Sequence, residues 1–209
     1  MKHRFSQWLP LLTTSLLGAL TLMIYTWGFE EKNPVVFLQV GAGAMLPALF
    51  PLINRFMRRP LPAALSWLIS AHIVLSCDLG SALGFYWRFP QWDLWMHGYF
   101  GFLAGVTLYI FLLRWNGAAL HPAGFFMLIL LGTMGGAALW EIFEYSCDLL
   151  LGGDAQRVHE ALALGLSPIR DTMTDIIVAM AGLAAFYLFL FFDKRLGFKI
   201  SRRLCLRTV

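Results

Sequence analysis

Across 209 residues the chain carries only 13% charged side chains against 59% apolar ones, with a formal net charge of +4. A soluble domain has about 25% charged and 45–50% apolar residues, so this chain lacks the polar surface that water requires. Its wealth of Leu, Phe, Ile and Val also excludes disorder, which leaves an all-α polytopic membrane protein.

A bilayer core of about 30 Å needs roughly 20 apolar residues per helix. Six stretches qualify, at about 7–29, 34–53, 62–86, 93–113, 123–149 and 171–192. With a basic tail over 193–209 they read as a single integral membrane domain, a compact six-helix bundle spanning 1–209, with no room for a soluble catalytic domain. The first stretch follows Lys2 and Arg4 but is too long for a signal peptide. It ends in Tyr25–Thr26–Trp27–Gly28 without a small-residue cleavage pattern, so it reads as a retained anchor. Pro47 and Pro51 are expected to kink or end the second helix. Gly80-x-x-x-Gly84, Gly101-x-x-x-Gly105 and Gly132-x-x-x-Gly136 are expected to permit close helix packing. Trp27, Trp87, Trp92 and Trp95 would mark one membrane interface, and Trp8 and Trp115 the other. The longest connection runs from Gly152 to Arg170. Within it Ala155–Leu164 is expected to form a short interfacial helix, which with Asp154, Arg157, His159 and Glu160 would lid that end; a solvated connector is the plainer reading.

Twelve of the sixteen Lys and Arg residues fall on the side of the two termini: Lys2, Arg4, Arg55, Arg58, Arg59, Arg114 and six cations from Lys194 to Arg207. Lys32, Arg88, Arg157 and Arg170 lie on the other side. By the positive-inside rule both termini are expected to be cytoplasmic. The basic balance comes from the tail, which suits anionic lipid head groups and signals no nucleic-acid partner. Cys77, Cys147 and Cys205 form no disulfide framework, although Cys77 and Cys147 lie near the same end of their helices and within potential reach of each other.

The acidic residues sort the opposite way. Seven carboxylates and a histidine belong to the outer halves of four helices: Asp78; Asp93 and His97; Glu141, Glu144 and Asp148; Asp171 and Asp175. Asp93 and His97 are i and i+4, as are Asp171 and Asp175, so each pair shares a helix face. Glu141, Glu144 and Asp148 span about 60° of arc on theirs. Lipid cannot solvate such faces, so they should face each other or a wet cavity. Seven carboxylates cannot all ionise close together without compensation. A bound divalent cation, several protonated acids or a water-filled vestibule would each resolve this. Donors of this kind suit Mg, Mn or Ca, and His with carboxylates also holds Zn or Fe. The candidate metal ligands are His97, Glu141, Glu144, Asp148 and Asp175, with Asp78, Asp93 or Asp171 as general base on a bound water; the metal's identity is open. Plainer roles compete: Asp93 and Asp171 as helix N-caps, Asp148 as a solvated helix end, and His72 as a hydrogen-bonded core histidine.

Ser76–Cys77–Asp78–Leu79 recurs as Ser146–Cys147–Asp148–Leu149. Asp93-x-x-x-His97 follows the first copy and Asp171-x-x-x-Asp175 the second, as in a parallel repeat of two helical hairpins. No zinc-protease His-Glu-x-x-His, nucleophile elbow, Walker loop or dinucleotide fingerprint occurs.

Trp92–Asp93–Leu94–Trp95–Met96–His97–Gly98, Trp140–Glu141–Ile142–Phe143–Glu144–Tyr145 and Asp171–Thr172–Met173–Thr174–Asp175 resemble the YjdF-type bacterial inner-membrane proteins, which are similar, more distantly, to VanZ-like proteins. The resemblance covers nearly the whole chain. It implies a multi-pass protein of the Gram-negative inner membrane and supplies no reaction. From the residues themselves, the expected function is a membrane-embedded, metal-assisted enzyme acting on a lipid or lipid-linked head group at the periplasmic face. A proton- or cation-coupled transporter using the same acids is the alternative, as is a structural or partner-binding membrane protein.

Overall fold

The computed structural model describes residues 8–57, 60–115 and 120–197. Six membrane-length helical segments account for most of these residues. Helix α1 is Leu9–Gly28, and α2 is Pro34–Met45. Asn33 caps α2 by accepting the Val35 N–H, and its own N–H donates to the Tyr25 hydroxyl at 2.8 Å, so the link between α1 and α2 is tied to α1. Pro47 sits in a 3-10 turn, Leu46–Ala48, after which α3 (Leu49–Phe56) completes the second span. The prolines thus break the span without ending it, and it runs three residues beyond the expected Ile53.

The third span is α4 (Ala63–Ile73) continued by a π-helical segment, Val74–Ala82. It stops short of the expected residue 86. Gly84, at φ +74°, turns the chain instead of serving a packing motif, and a separate short helix α5 (Phe85–Arg88) follows. Helix α6 is Trp92–Trp115, α7 is Pro122–Leu151, α8 is Val158–Ala163 and α9 is Arg170–Arg195. The short helix α8 lies within the stretch expected to be helical in the long connection. The tail cations beyond residue 197, together with Lys2, Arg4, Arg58, Arg59 and Cys205, lie outside the described residues.

Packing fixes which helix ends meet. Asn54 and Leu61 bond reciprocally across the connection after α3. The Arg114 guanidinium donates to the Pro60 carbonyl, which places the end of α6 there too. Val40, Ile73, Cys77 and Tyr25 form one cluster, and Phe50, Leu65, Ile110, Ile129 and Phe186 belong to a second. Many of the remaining large apolar side chains are exposed, Leu16 and Leu139 among them, as lipid-facing surface requires.

The closest helix pair is α6 with α9. A Cβ on Gly101 would overlap the Ala179 carbonyl, and one on Gly182 would overlap the Gly98 carbonyl. The backbones therefore touch, which only glycine permits. The matched positions ascend together, Gly101 with Ala179 and Gly105 with Leu183 and Phe186, so the two helices are parallel. In contrast, Gly132 meets Leu108 and Gly136 meets Phe100, so α7 runs antiparallel to α6. The start of α6, the end of α7 and the start of α9 consequently share one end of the bundle.

Gly101→Leu or Gly182→Leu should part α6 from α9 and destabilise the protein by about 1–3 kcal/mol through overpacking. Gly135→Ala, where an added Cβ meets nothing within 4 Å, should be neutral. Thermal unfolding of the purified protein in detergent measures the difference.

Candidate functional site

The shared end gathers the acids. His97, one turn into α6, places Nε2 3.5 Å from Asp93 Oδ1 on its own helix and 3.7 Å from Asp175 Oδ2 on α9. One ligand atom from each of the three residues lies within 4.8 Å of the others. Asp175 is 1% exposed, and neither of its oxygens makes a hydrogen bond of normal geometry. A buried carboxylate left so costs several kcal/mol unless a positive charge compensates it. A single imidazole nitrogen facing two carboxylates offers that charge in two ways: as a shared N–H, or as a ligand lone pair beside a bound cation. Metal–ligand bonds of about 2.0–2.2 Å keep donors within roughly 4.4 Å of one another. The two His97 separations fall inside this limit, and the whole group lies within 4.8 Å, so the three residues could hold a metal ion after a small adjustment.

Glu141 stands over the centre from α7. It is 5% exposed and close enough for the charges of His97 and Asp93 to act on it. Its carboxylate comes near Thr172 and Gln156 without a well-formed hydrogen bond. Glu144, one turn on, accepts the Trp140 indole N–H at 3.0 Å.

The other candidates occupy different positions. Asp148 is half-buried at the end of α7, and its oxygens accept the Ala155 N–H at 2.7 Å and the Gln156 N–H at 3.0 Å. It organises the start of the long connection. Asp171 is in the first turn of α9, but the cap position is Ile169, and Oδ2 of Asp171 is buried without a hydrogen bond. Asp93 lies inside the first turn of α6 and turns to His97. Asp78 is buried in the π-helical segment, with Oδ2 unbonded and no described charge acting on it, so it lies apart from the centre. The two Ser–Cys–Asp–Leu copies thus differ in local structure. Cys77 and Cys147 are both free and buried. Trp92 is half-buried: it meets Phe85 edge-on, lies tilted beside Trp95 and donates its indole N–H to the Leu75 carbonyl at 3.3 Å. A π-helical segment shifts its carbonyls off the regular ladder, and such segments recur at functional sites. His72 is half-buried and edge-on to Tyr99, with Nδ1 buried and unbonded.

Two cavities flank Asp93. One of about 120 Å³ is lined by Gln39, Tyr86, Glu144, Asp148 and Arg157 as well as Asp93. A second of about 220 Å³ lies toward α8 and the start of α9. Tyr86, which in the sequence only closes the expected third stretch, lines the smaller cavity. Its ring rests on Gly80, where any Cβ would collide with it. Burial, then the negative charges of Asp93 and Glu144, push the phenol well above its usual range, so it stays a neutral O–H donor beside the carboxylates.

Above the centre, Gln156 donates one amide to both the Glu141 carbonyl at 3.3 Å and the Thr172 hydroxyl at 3.2 Å, which links α7, the long connection and α9.

Six apolar spans and a buried carboxylate–histidine group at one end define a polytopic membrane protein with a candidate metal centre. Residues 12–195 match the model of the family described as "Predicted membrane protein (DUF2238)", and the chain belongs to that family. No curated protein and no solved structure matches it.

Asp148→Ala should free the start of the long connection. Charge-assisted hydrogen bonds contribute about 1.5–3 kcal/mol each. The Ala155 and Gln156 amides should therefore exchange with solvent at least about tenfold faster, while amides in the middle of α7 keep their rates. Hydrogen–deuterium exchange read by mass spectrometry checks this.

Proposed function

We propose that the protein is a membrane-embedded enzyme that binds a divalent metal ion through Asp93, His97 and Asp175 and acts on a lipid or lipid-linked head group, with the site at the periplasmic face. The observation that carries this reading is the meeting of His97 Nε2 with carboxylate oxygens from two helices, around an Asp175 that is almost fully buried. Within the family, the motif residues around Asp93, Glu141 and Asp171 favour the YjdF type. The charge sorting favours cytoplasmic termini, which would set the acidic end on the periplasmic side.

The donor set is one nitrogen and two or more oxygens, which suits Mn, Zn, Fe or Mg. When bound, the metal would polarise a head-group oxygen and acidify a water. Glu141, near the three ligand residues and with its carboxylate free of strong bonds, would serve as the proton acceptor. Tyr86 can donate its O–H to an oxygen in the smaller cavity. The bulk of the bundle excludes bulk water, which strengthens each of these interactions.

The test is metal content. Purified wild-type protein should retain about one divalent ion per chain, and His97→Ala and Asp175→Asn should lose it, while Asp148→Asn keeps it. Metal at a hundredfold excess over Kd should stabilise the wild type by about 2.7 kcal/mol and leave the two ligand variants unchanged. A wild type that retains no ion and shows no thermal response to Mn²⁺, Zn²⁺ or Mg²⁺ sinks the reading.

The transporter alternative is favoured by one observation. Ser66 Oγ, Ser70 Oγ, His72 Nδ1 and Thr133 Oγ1 are buried polar atoms without hydrogen bonds, deeper in the bundle than the acids. They would offer protons a way inward. If they serve transport, proteoliposomes should show proton uptake that Asp175→Asn abolishes and His72→Phe reduces severalfold; a fluorescent pH dye inside the vesicles reads it.

A further inference from the structure

The larger cavity is lined by residues from the start of α6, the long connection with α8 and the start of α9. It shares Asp93 and Arg157 with the smaller one. Arg157 and Arg170 line the larger cavity together with the carboxylates Asp93, Glu160 and Asp171, and Leu94 and Leu164 are among its apolar residues. Arg157 is the only non-glycine residue with positive φ among the described residues, at φ 51° and ψ 33°. That left-handed backbone is costly for a side chain bearing a Cβ, and strain of this kind clusters at ligand sites. It is held by the Arg157 N–H on the Asp154 carbonyl and by the Ala161 N–H on the Arg157 carbonyl. The guanidinium pairs with Glu160 at 2.5 Å and is also within electrostatic reach of Asp171 and Asp93. Arg157 is thus poised between its surface partner and the carboxylates of the centre. Arg170 begins α9, and its guanidinium makes no hydrogen bond or ion pair among the described residues. Around the cavity the surface is apolar: Leu162, Leu164 and Ile169 are all more than half exposed.

We propose that this cavity takes the phosphate of an anionic lipid head group, which Arg157 and Arg170 hold beside the Asp93–His97–Asp175 centre. The inference deepens the enzyme reading and rests on it for the cation that offsets Asp93 and Asp171. Guanidinium forks match the paired oxygens of a phosphate. Two of them in one cavity, next to a metal-competent group, form a phosphate clamp. The exposed leucines and Ile169 then lie where the acyl chains of the same molecule leave the cavity. A soluble phosphate ester would make no use of that apolar rim.

Full-length protein in phosphatidylcholine nanodiscs, loaded with Mn²⁺, provides the test, with dioctanoyl phosphatidic acid, inorganic phosphate and dioctanoylglycerol as probes. The wild type should bind the phosphatidic acid at least about tenfold more tightly than either other probe. R157Q/R170Q should weaken that binding at least about tenfold, with Mn²⁺ content unchanged, and R157K/R170K should recover part of it. Unchanged phosphatidic acid binding in R157Q/R170Q overturns the proposal, as does equal affinity for dioctanoylglycerol. Inorganic phosphate binding as tightly as the lipid overturns the lipid source. Metal content is measured on the same samples. A wild type without Mn²⁺ that still binds the lipid through the two arginines overturns the metal centre and supports the clamp. A metal-loaded protein indifferent to the arginines does the reverse.

Discussion

The backbone contact between α6 and α9 is the constraint on which the site depends. Gly101 against Ala179, and Gly182 against Gly98, bring two parallel helices closer than any side chain would allow. One turn toward the acidic end, the same approach sets His97 3.7 Å from Asp175. In a membrane the hydrophobic effect does not press helices together, so such contacts depend on dispersion and shape. A pair of glycines thereby does for this centre what a packed apolar core does for a soluble enzyme. Because the helices are parallel, their N-terminal ends coincide. The positive ends of both dipoles then favour negative charge where Asp93, Asp171 and Asp175 sit.

That favourable field is too small to explain the burial of Asp175. A helix end supplies about 0.3–1 kcal/mol per charge, whereas a buried, unpaired carboxylate costs several. His97 is shared between Asp93 and Asp175, and Glu141 adds a further carboxylate within reach. One imidazolium cannot balance three acids. Protonation of a carboxyl or a divalent cation would each correct the imbalance. It also separates these four residues from Asp148, whose charge is met by two backbone N–H groups and needs nothing more.

The six spans were legible because length and apolar content fix them, and because a lipid-facing helix advertises itself along its whole length. The acidic end was legible too, since chain direction alone places Asp93, Glu141 and Asp175 at one depth. Which acids meet was not. Helix periodicity says that Asp93 and His97 share a face, but it does not say that α9 rather than α4 lies opposite, and Asp78 is set apart for that reason. The positions of Asp148 and Tyr86 were not legible either, on different grounds. The role of Asp148 comes from a loop folding back over seven residues, and that of Tyr86 from a turn at Gly84 that the apolar run through residue 86 conceals. The π-helical segment at Val74–Ala82 leaves no mark in composition at all.

The long connection joins these two kinds of structure. Asp148 fixes its first turn, Gln156 bridges the Glu141 carbonyl to Thr172, and Arg157 follows at once in its left-handed conformation. Movement of the connection would therefore reach the backbone of Glu141 through one side chain. The neighbouring residue carries a guanidinium toward Asp93 and Asp171. The connection is consequently better described as a wall of the site than as a tether between two spans. Its contacts through Asp148 and Gln156 reach α7 and α9, while Leu162 and Leu164 are exposed. An amphipathic wall of that kind can stand between a bilayer and a cluster of buried charges.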